Sequence, residues 1–284
     1  MRRSTRSFIS KAFVVVALGV LAGCASTPVT CPSPDYSPVI ASLTAADLAL
    51  LDSVPRNNMA RGERAASLLG SAACDSTSST AIKSSNQFNY ECVIAGMMPA
   101  RIVIGAHYDK VWQGQGVIDN WTGIVVLQML AHWFAAHPPV HTMVFVAFGE
   151  EEPGMIGSRD YVRQRGVDNV AAMVNIDTLG IGPLTIDSRS DEALACRARE
   201  AAAASGVETR SNALRESVSD WEPFDRRGVP ILNFHSLDAR SLRLLHSSRD
   251  RRSNLIDARL EEAARGILNA VIYLDRSAEN IVER

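Results

Sequence analysis

Three largely apolar runs of this chain end in residues that can bind a metal ion. The run from 101 to 106 is followed by His107, the run from 142 to 148 by a glycine and three glutamates, and the run from 170 to 176 by Asp177. Each run has the length and composition of a strand. Because open α/β sheets build their sites at the carboxyl ends of strands, this pattern predicts a sheet with a polar site along one edge.

Helical stretches alternate with the strand-like runs. Besides the three runs above, we predict strands at Tyr90–Ala95, Leu184–Ile186 and Pro230–Phe234. The helical periodicity and its stop signals predict helices at Thr122–Ala136, Ser158–Arg165, Asp191–Ser205 and Asp257–Leu274. This order predicts an α/β fold with three α/β/α layers and a mixed, largely parallel central sheet.

The N-terminus is typical of a lipoprotein signal peptide, which we assign to residues 1–23. Four basic residues precede an apolar run at 12–22 that is too short to span a bilayer. The run ends in Leu-Ala-Gly before Cys24, which predicts lipid attachment at Cys24 and a membrane anchor. Residues 24–36 are then a lipidated N-terminus and tether, and residues 37–284 are one domain. Ala25 favours the outer membrane, with the domain facing the periplasm.

The charge limits which classes of partner the protein can bind, and the cysteines are considered for disulfides and for zinc binding. Of 29 Lys and Arg, four leave with the signal peptide, so 25 remain against 31 Asp and Glu, and nucleic acid is an unsuitable partner. In an oxidising compartment, the Ser/Thr-rich segment between Cys74 and Cys92 favours a disulfide between them. No cysteine pair has the spacing of a thiolate zinc site. The oligomeric state stays open.

Five residues form a plausible ligand set for two divalent cations: His107, Asp119, Glu152, Asp177 and His246. Two cations held about 3.5–4 Å apart require a carboxylate between them and further imidazole and carboxylate ligands on each. Asp109 stands two residues after His107, where a carboxylate can orient a metal-bound imidazole. The sequence therefore predicts a metal site.

The motifs around these residues resemble those of the bacterial secreted dinuclear zinc aminopeptidases, which include aminopeptidase S and the aminopeptidase Y-like metallopeptidases. The resemblance runs from about Tyr90 to Leu274. Its elements are His107-Tyr108-Asp109, Asp119-Asn120, Glu151 to Ser158, Asn175-Ile176-Asp177, Ser219-Asp220, and His246 with Asp250. It implies a zinc-peptidase fold of the phosphorylase/hydrolase-like type.

The resemblance also implies roles for individual residues. His107 and Asp177 would bind one Zn²⁺, Glu152 and His246 a second, and Asp119 would bridge the two. Cobalt or manganese would suit the same nitrogen and oxygen ligands. Glu151 would be the general base, with Asp109 orienting His107, in the hydrolysis of N-terminal residues from peptide substrates. This register leaves Glu150 without a catalytic role.

Several positions leave alternatives open. His235 also has an acidic residue nearby, but its spacing to Asp238 differs from that of His246 to Asp250, so we favour His246 as the ligand. Trp121, Asp220 and Trp221 are candidate substrate-binding residues, with packing as the other reading for the two tryptophans. Leu245 stands where some family members have a tyrosine, which leaves the oxyanion contact unassigned.

Two other functions are compatible with parts of the pattern. A glutaminyl cyclase is a single-zinc acyltransferase on a related fold, which also has a His-Tyr-Asp element and a pair of glutamates. A non-catalytic binding lipoprotein on the same fold would have lost a metal ligand or the general base, yet the five candidate ligands and Glu151 are all present. A carboxypeptidase-like specificity is also compatible with the fold.

Overall fold

The computed structural model describes residues 31, 33–35, 37–212 and 218–277 of the chain. Within them, eight strands form one sheet in the order β1-β2-β4-β3-β5-β8-β6-β7. The strands are β1 (Ser76–Ala81), β2 (Phe88–Ile94), β3 (Met98–His107), β4 (His141–Phe148), β5 (Val170–Ile176), β6 (Thr185–Asp187), β7 (Arg210–Asn212) and β8 (Ile231–His235). The central strands β4, β3, β5 and β8 pair in parallel, whereas β1, β2 and the β6–β8 pair are antiparallel.

Helices connect the strands and cover the sheet. They are α1 (Ala45–Ala49), α2 (Asn58–Gly70), α3 (Thr122–Ala136), α4 (Ile156–Arg165), α5 (Glu192–Ala204), α6 (Glu222–Asp225) and α7 (Asp257–Ser277). α2 begins at Asn57, whose side chain accepts the Ala60 N–H, and α3 ends just before two consecutive prolines that cannot continue it.

Alternate residues of the central strands enter two separate cores. On β4, Phe145 packs into the larger core with α2, α3, α5 and α7, whereas Phe148 faces the smaller core with α4 and α6. This alternation follows from the two-residue period of a strand. It gives helices on both faces of the sheet, so the predicted three-layer α/β/α fold with a mixed, largely parallel sheet is confirmed.

The predicted elements are all present, and their ends differ from the observed ends by at most three residues. Sequence reasoning missed the helices α1, α2 and α6 and the strands β1 and β7. β1 reads Ser-Thr-Ser-Ser-Thr-Ala and lies at the sheet edge, so it has no apolar alternation from which to predict a strand.

Two disulfides link segments of the described chain. Cys74 is bonded to Cys92, the pairing that the sequence favours, and Cys31 is bonded to Cys196 of α5. The second bond was not predicted, and it attaches the segment assigned as a tether to the domain. Cys24 lies outside the described residues. No helix of the described residues is long and apolar enough to cross a membrane.

Candidate metal centre

The expected ligands converge at the carboxyl edge of the sheet. His107 is the last residue of β3, Asp177 directly follows β5, and Glu152 lies four residues after β4. Because these three strands are parallel neighbours, their carboxyl ends lie side by side. Asp119 comes from the irregular turn Val117–Trp121 before α3, and His246 comes from the loop after β8.

Asp119 lies between the two histidines, with one carboxylate oxygen toward each. Its Oδ1 is 3.3 Å from His107 Nε2, and its Oδ2 is 3.3 Å from His246 Nε2. Asp177 Oδ1 is 3.5 Å from His107 Nε2, and Glu152 Oε2 is 2.8 Å from His246 Nε2. The result is two triads that share Asp119, and the candidate ligand atoms of each triad lie within 4.8 Å of one another.

The donor set fits a divalent cation such as Zn²⁺. Each triad offers one imidazole nitrogen and two carboxylate oxygens, and neither contains a thiolate. The carboxylates are also crowded: Asp119, Glu151, Glu152 and Asp177 line one cavity. A metal ion in either triad would offset the repulsion among these groups, so the residues present suit metal binding.

The proton affinities of the cluster reflect its burial and crowding. Burial raises the pKa of Glu152, and it raises the pKa of Glu151 well above its ordinary value. Burial alone would also raise the pKa of Asp119, but hydrogen bonds to the two histidines hold that pKa below its ordinary value. Asp119 and Glu152 together raise the pKa of His246 to about 10. In the metal-free protein, these two carboxylates thus favour the protonated form of His246.

Asp109 connects the histidine strand to the glutamate loop. Its Oδ1 accepts the backbone N–H of Glu151 at 3.0 Å, and its Oδ2 accepts that of Glu152 at 3.1 Å. The same Oδ1 lies 3.6 Å from His107 Nδ1. Asp109 is fully buried, so these contacts fix its carboxylate. The structure thus places Asp109 where it can orient His107, and adds the support of the glutamate loop that sequence reasoning had not anticipated.

Three further side chains hold the carboxylate ligands in place. Asp250 accepts the backbone N–H of Asp119 at 3.4 Å and that of the preceding residue at 2.8 Å. Ser219 Oγ donates to Asp177 Oδ2 at 2.7 Å, and Thr178 Oγ1 donates to Asp177 Oδ1 at 3.0 Å. Asp250 and Ser219 belong to the sequence motifs, which had not given them these roles.

Arg61 of α2 is a buried cation behind the centre that sequence reasoning missed. Its guanidinium donates to the backbone carbonyls of Tyr108, Gln115 and Gly116, and lies 5.0 Å from the ring centre of Trp121. Burial lowers the pKa of Arg61 to about 10, while the nearby carboxylates raise it. Arg61 therefore holds the loop after His107 and places a positive charge near the acidic cluster.

Two of the three expected substrate-binding residues lie in the interior. Trp121 is 1% exposed, stacks on Arg61 and donates its indole N–H to the Leu50 carbonyl, so the expectation of a substrate contact is wrong for it. Asp220 is 0% exposed, which corrects the same expectation, and burial raises its pKa to about 7. Trp221 does line a cavity, beside Asp177.

The geometry distinguishes His246 from His235 as a candidate metal ligand, and it shows where Glu150 lies. His246 Nε2 lies beside Glu152 and Asp119, whereas His235 belongs to neither triad and lies 3.9 Å from Asp187. Glu150 points to Ser85 and Gln87, to whose side chains it is hydrogen-bonded, and is absent from both triads.

An open cleft of about 520 Å³ lies over the centre. It contains Glu151 and the second triad, and its apolar wall is formed by Met155, Val218, Leu237, Leu242 and Leu245. Leu245 lines the cleft but has no polar side-chain group that could bind an oxyanion, so the oxyanion contact stays unassigned. The cleft is large enough for a peptide of several residues next to the candidate metal-binding side chains.

The family model for "Peptidase family M28" matches residues 91–271, which is more than half of the chain and includes every residue of the two triads. The chain belongs to peptidase family M28. This places it in a family of peptidases.

Curated proteins resemble this chain over part of their length. The "Probable lipoprotein aminopeptidase LpqL" of Mycobacterium tuberculosis is 29% identical over 150 residues, 45% of this chain and 30% of that protein. The first curated relatives are matched over only 15 to 20% of their own length.

Two solved structures share the fold. The LapA aminopeptidase of Legionella pneumophila has a TM-score of 0.67 at 18% identity, covering 81% of this chain and 70% of that one. A glutaminyl cyclase from an Acidobacteriales bacterium also has a TM-score of 0.67 at 18% identity, covering 86% and 98%. These similarities show the α/β fold and do not separate the two activities.

Proposed function

We propose that this M28 chain is a metal-dependent exopeptidase, an aminopeptidase that removes N-terminal residues from peptides with two zinc ions. The observation that carries the proposal is the position of Asp119, whose two oxygens each lie 3.3 Å from a different histidine. A carboxylate between two nitrogen ligands is the arrangement expected of a bridging ligand. A site for one metal ion would need only one of the two triads.

Two residues of the chain would then have separate roles in hydrolysis, Glu151 in proton transfer and Asp109 in positioning. Bound zinc would supply Lewis acidity, polarising a carbonyl and making water acidic enough to attack near neutral pH. Glu151 lines the cleft and is not a member of either triad, so its carboxylate is available to take the proton of the attacking water and pass it to the leaving amine. Asp109 would hold the backbone of Glu151 while this proton moves.

The test is a substrate screen with a defined metal content. The purified domain, freed of metal with a chelator and then titrated with Zn²⁺, is assayed against a panel of aminoacyl anilides, dipeptides and N-terminally blocked peptides. We expect activity to rise up to two zinc ions per chain and blocked peptides to resist cleavage. Cleavage of blocked peptides from the carboxyl end would instead indicate a carboxypeptidase.

A glutaminyl cyclase is the second candidate, because one shares the fold over almost its whole length. It would bind one zinc ion tightly and cyclise an N-terminal glutamine without cleaving a peptide bond. Mass spectrometry of a Gln-Ala-Ala peptide separates the two: hydrolysis yields free glutamine and Ala-Ala, whereas cyclisation loses ammonia. Cyclisation with one zinc ion per chain would overturn the aminopeptidase proposal.

We also propose that the protein is a lipoprotein of the cell envelope, with Cys24 lipidated after removal of residues 1–23. The lipobox-like sequence supports this, and one relative carries the word lipoprotein in its name. Peptides in the periplasm would then be the substrates, with the domain held at the outer membrane. Metabolic labelling with a fatty-acid probe should mark the wild type and leave a Cys24→Ala variant unmarked.

A further inference from the structure

A small inner cavity opens beside the candidate metal centre. It shares Asp177 and Leu237 with the cleft, and it is also lined by Arg189, Trp221, Asn233 and His235. Its volume is about 20 Å³, against about 520 Å³ for the cleft. A space of this size holds one water molecule or the terminal group of a side chain.

His235 brings a buried hydrogen-bond donor to this cavity. Its Nδ1 accepts the Leu237 N–H at 3.0 Å, so the hydrogen of the neutral ring is on Nε2. Nε2 has no hydrogen-bond partner among the described residues, and the side chain is 3% exposed. Burial lowers the pKa of His235, which keeps the ring neutral and this tautomer in place.

Trp221 brings a second donor of the same kind. The residue is 6% exposed, and its indole N–H also lacks a hydrogen-bond partner in the described part of the chain. A buried N–H without a hydrogen-bond partner is costly, so two of them around one cavity favour an occupant that carries an acceptor. An aliphatic occupant would leave both N–H groups without a partner.

Arg189 and Asp187 do not meet this demand, because they are already paired. The guanidinium donates to both oxygens of the Asp187 carboxylate, at 2.9 Å and 2.5 Å, and lies 5.0 Å from the ring centre of Trp221. Their charges offset each other beside the cavity. Among the described side chains that line this cavity, the buried polar atoms left without a hydrogen-bond partner are therefore the His235 Nε2 and the Trp221 indole nitrogen.

We infer that the inner cavity is the subsite for the side chain of the substrate's N-terminal residue, and that it selects a short side chain ending in an acceptor oxygen, as in asparagine or aspartate. The inference rests on the proposed aminopeptidase function. Its position supports this use, because a substrate at the metal centre lies next to Asp177, the residue that both cavities share. The His235 and Trp221 N–H groups would donate to the oxygen.

The test compares three side chains of similar size, in the anilides of leucine, asparagine and aspartate, with the zinc-loaded wild-type protein. We expect kcat/KM for the asparagine or aspartate substrate to exceed that for leucine by about 100-fold, because the leucine side chain leaves buried donors unsatisfied. The asparagine and aspartate arms show whether the amide or the carboxylate is preferred. A leucine substrate cleaved as well as both polar ones would overturn the inference and leave the aminopeptidase proposal intact.

Substitutions test the two donors directly. Trp221→Phe and His235→Leu each remove one N–H, and should lower the preference for the polar substrate over leucine by about 10-fold. Trp133→Phe and His137→Leu are matched controls, since these two rings stack on each other at 4.2 Å on and just after α3. The controls should keep the wild-type preference. An unchanged preference in both donor variants would contradict the inference, and cleavage of no substrate by the wild type would overturn it together with the proposed function.

Discussion

Asp109 accepts the backbone N–H of Glu151 at 3.0 Å, although the two residues follow different strands. The same oxygen lies 3.6 Å from His107 Nδ1. One carboxylate therefore connects a candidate metal ligand to the candidate general base. Because β3 and β4 are parallel neighbours, this connection spans the carboxyl ends of both strands and makes the two loops one unit.

Asp109→Asn should weaken both zinc binding and catalysis. The amide cannot accept from the two backbone N–H groups with both of its terminal atoms, so the glutamate loop and His107 lose a common support. We expect a 10- to 100-fold loss of zinc affinity, measured by competition with a chelator dye, and a comparable loss of kcat. Asp160→Asn changes a buried carboxylate that accepts the Lys83 N–H, and serves as the control. Equal zinc affinity in the Asp109 variant and the wild type would contradict the orienting role.

Zinc binding should release protons at neutral pH. Asp119 and Glu152 raise the pKa of His246 to about 10 in the metal-free protein, so at pH 7 the ring is protonated, whereas a zinc ligand has to be neutral. Zinc affinity should therefore rise with pH, by about tenfold per unit for each proton released. Calorimetric titrations in buffers of different ionisation enthalpy count these protons. Binding enthalpies that do not depend on the buffer would be inconsistent with a protonated His246.

Arg61→Met should destabilise the domain. The substitution leaves three backbone carbonyls without their guanidinium donor and removes the cation stacked on Trp121, which we expect to cost about 3 kcal/mol of the free energy of unfolding. Urea unfolding of the chelator-treated protein measures this. Arg61→Lys keeps the charge but cannot reach all three carbonyls, so its loss should be smaller. Arg64 is exposed on the same helix, and Arg64→Met should have little effect.

The fold could be predicted where the chain carries a strong apolar period. The run from 170 to 176 and the helix Thr122–Ala136 have observed bounds identical to the predicted ones, because one is a buried strand and the other ends at two prolines. α2 was missed, although Asn57 caps it, because its buried face includes Arg61 and Gly62 and so lacks a continuous apolar period. The disulfide between Cys31 and Cys196 joins residues 165 positions apart, and no local pattern indicates such a pairing.

The same distinction applies to the candidate site. Residues at strand ends, such as His107 and Asp177, could be found because their position follows from the strand before them. Trp121 was expected to face substrate, but its partner Arg61 comes from a helix that sequence reasoning did not predict. The inner cavity depends on side chains from several loops, and two orphaned N–H groups cannot be recognised before the fold is known.

Asp220→Asn should stabilise the metal-free protein in a pH-dependent way. Burial raises the pKa of Asp220 to about 7, compared with about 3.9 in an unfolded chain. The folded state thus prefers the protonated acid, and the contribution of Asp220 to stability is full below about pH 4 and is lost as the pH rises through about 7. Asparagine resembles the protonated acid at every pH.

The Tm of the Asp220→Asn variant minus that of the wild type, measured with a chelator present, should therefore grow by several degrees between pH 5 and pH 8. Titrating groups remote from Asp220 contribute equally to both proteins and cancel, whereas Glu151, whose pKa the Asp220 charge raises, contributes to the difference. Asp225 is exposed, and Asp225→Asn is the surface control, with little effect on Tm expected. A Tm difference for Asp220→Asn that stays constant between pH 5 and pH 8 would argue against a protonated acid at that position.

The three consecutive glutamates have three different environments, which makes them the most direct test of the proposed mechanism. Glu150 is hydrogen-bonded to Ser85 and Gln87, Glu151 lines the cleft without joining a triad, and Glu152 belongs to the triad of His246. Substitution of each by glutamine changes the same group at neighbouring positions. The three variants serve as controls for one another.

The decisive measurement is the zinc content, by elemental mass spectrometry, together with kcat on an aminoacyl substrate, for Glu151→Gln. We predict two zinc ions per chain and a loss of kcat of at least about 100-fold. Glu152→Gln should lose about one zinc ion, and Glu150→Gln should keep both zinc and activity. A Glu151→Gln variant that keeps wild-type activity would contradict the account, and so would one that loses its zinc.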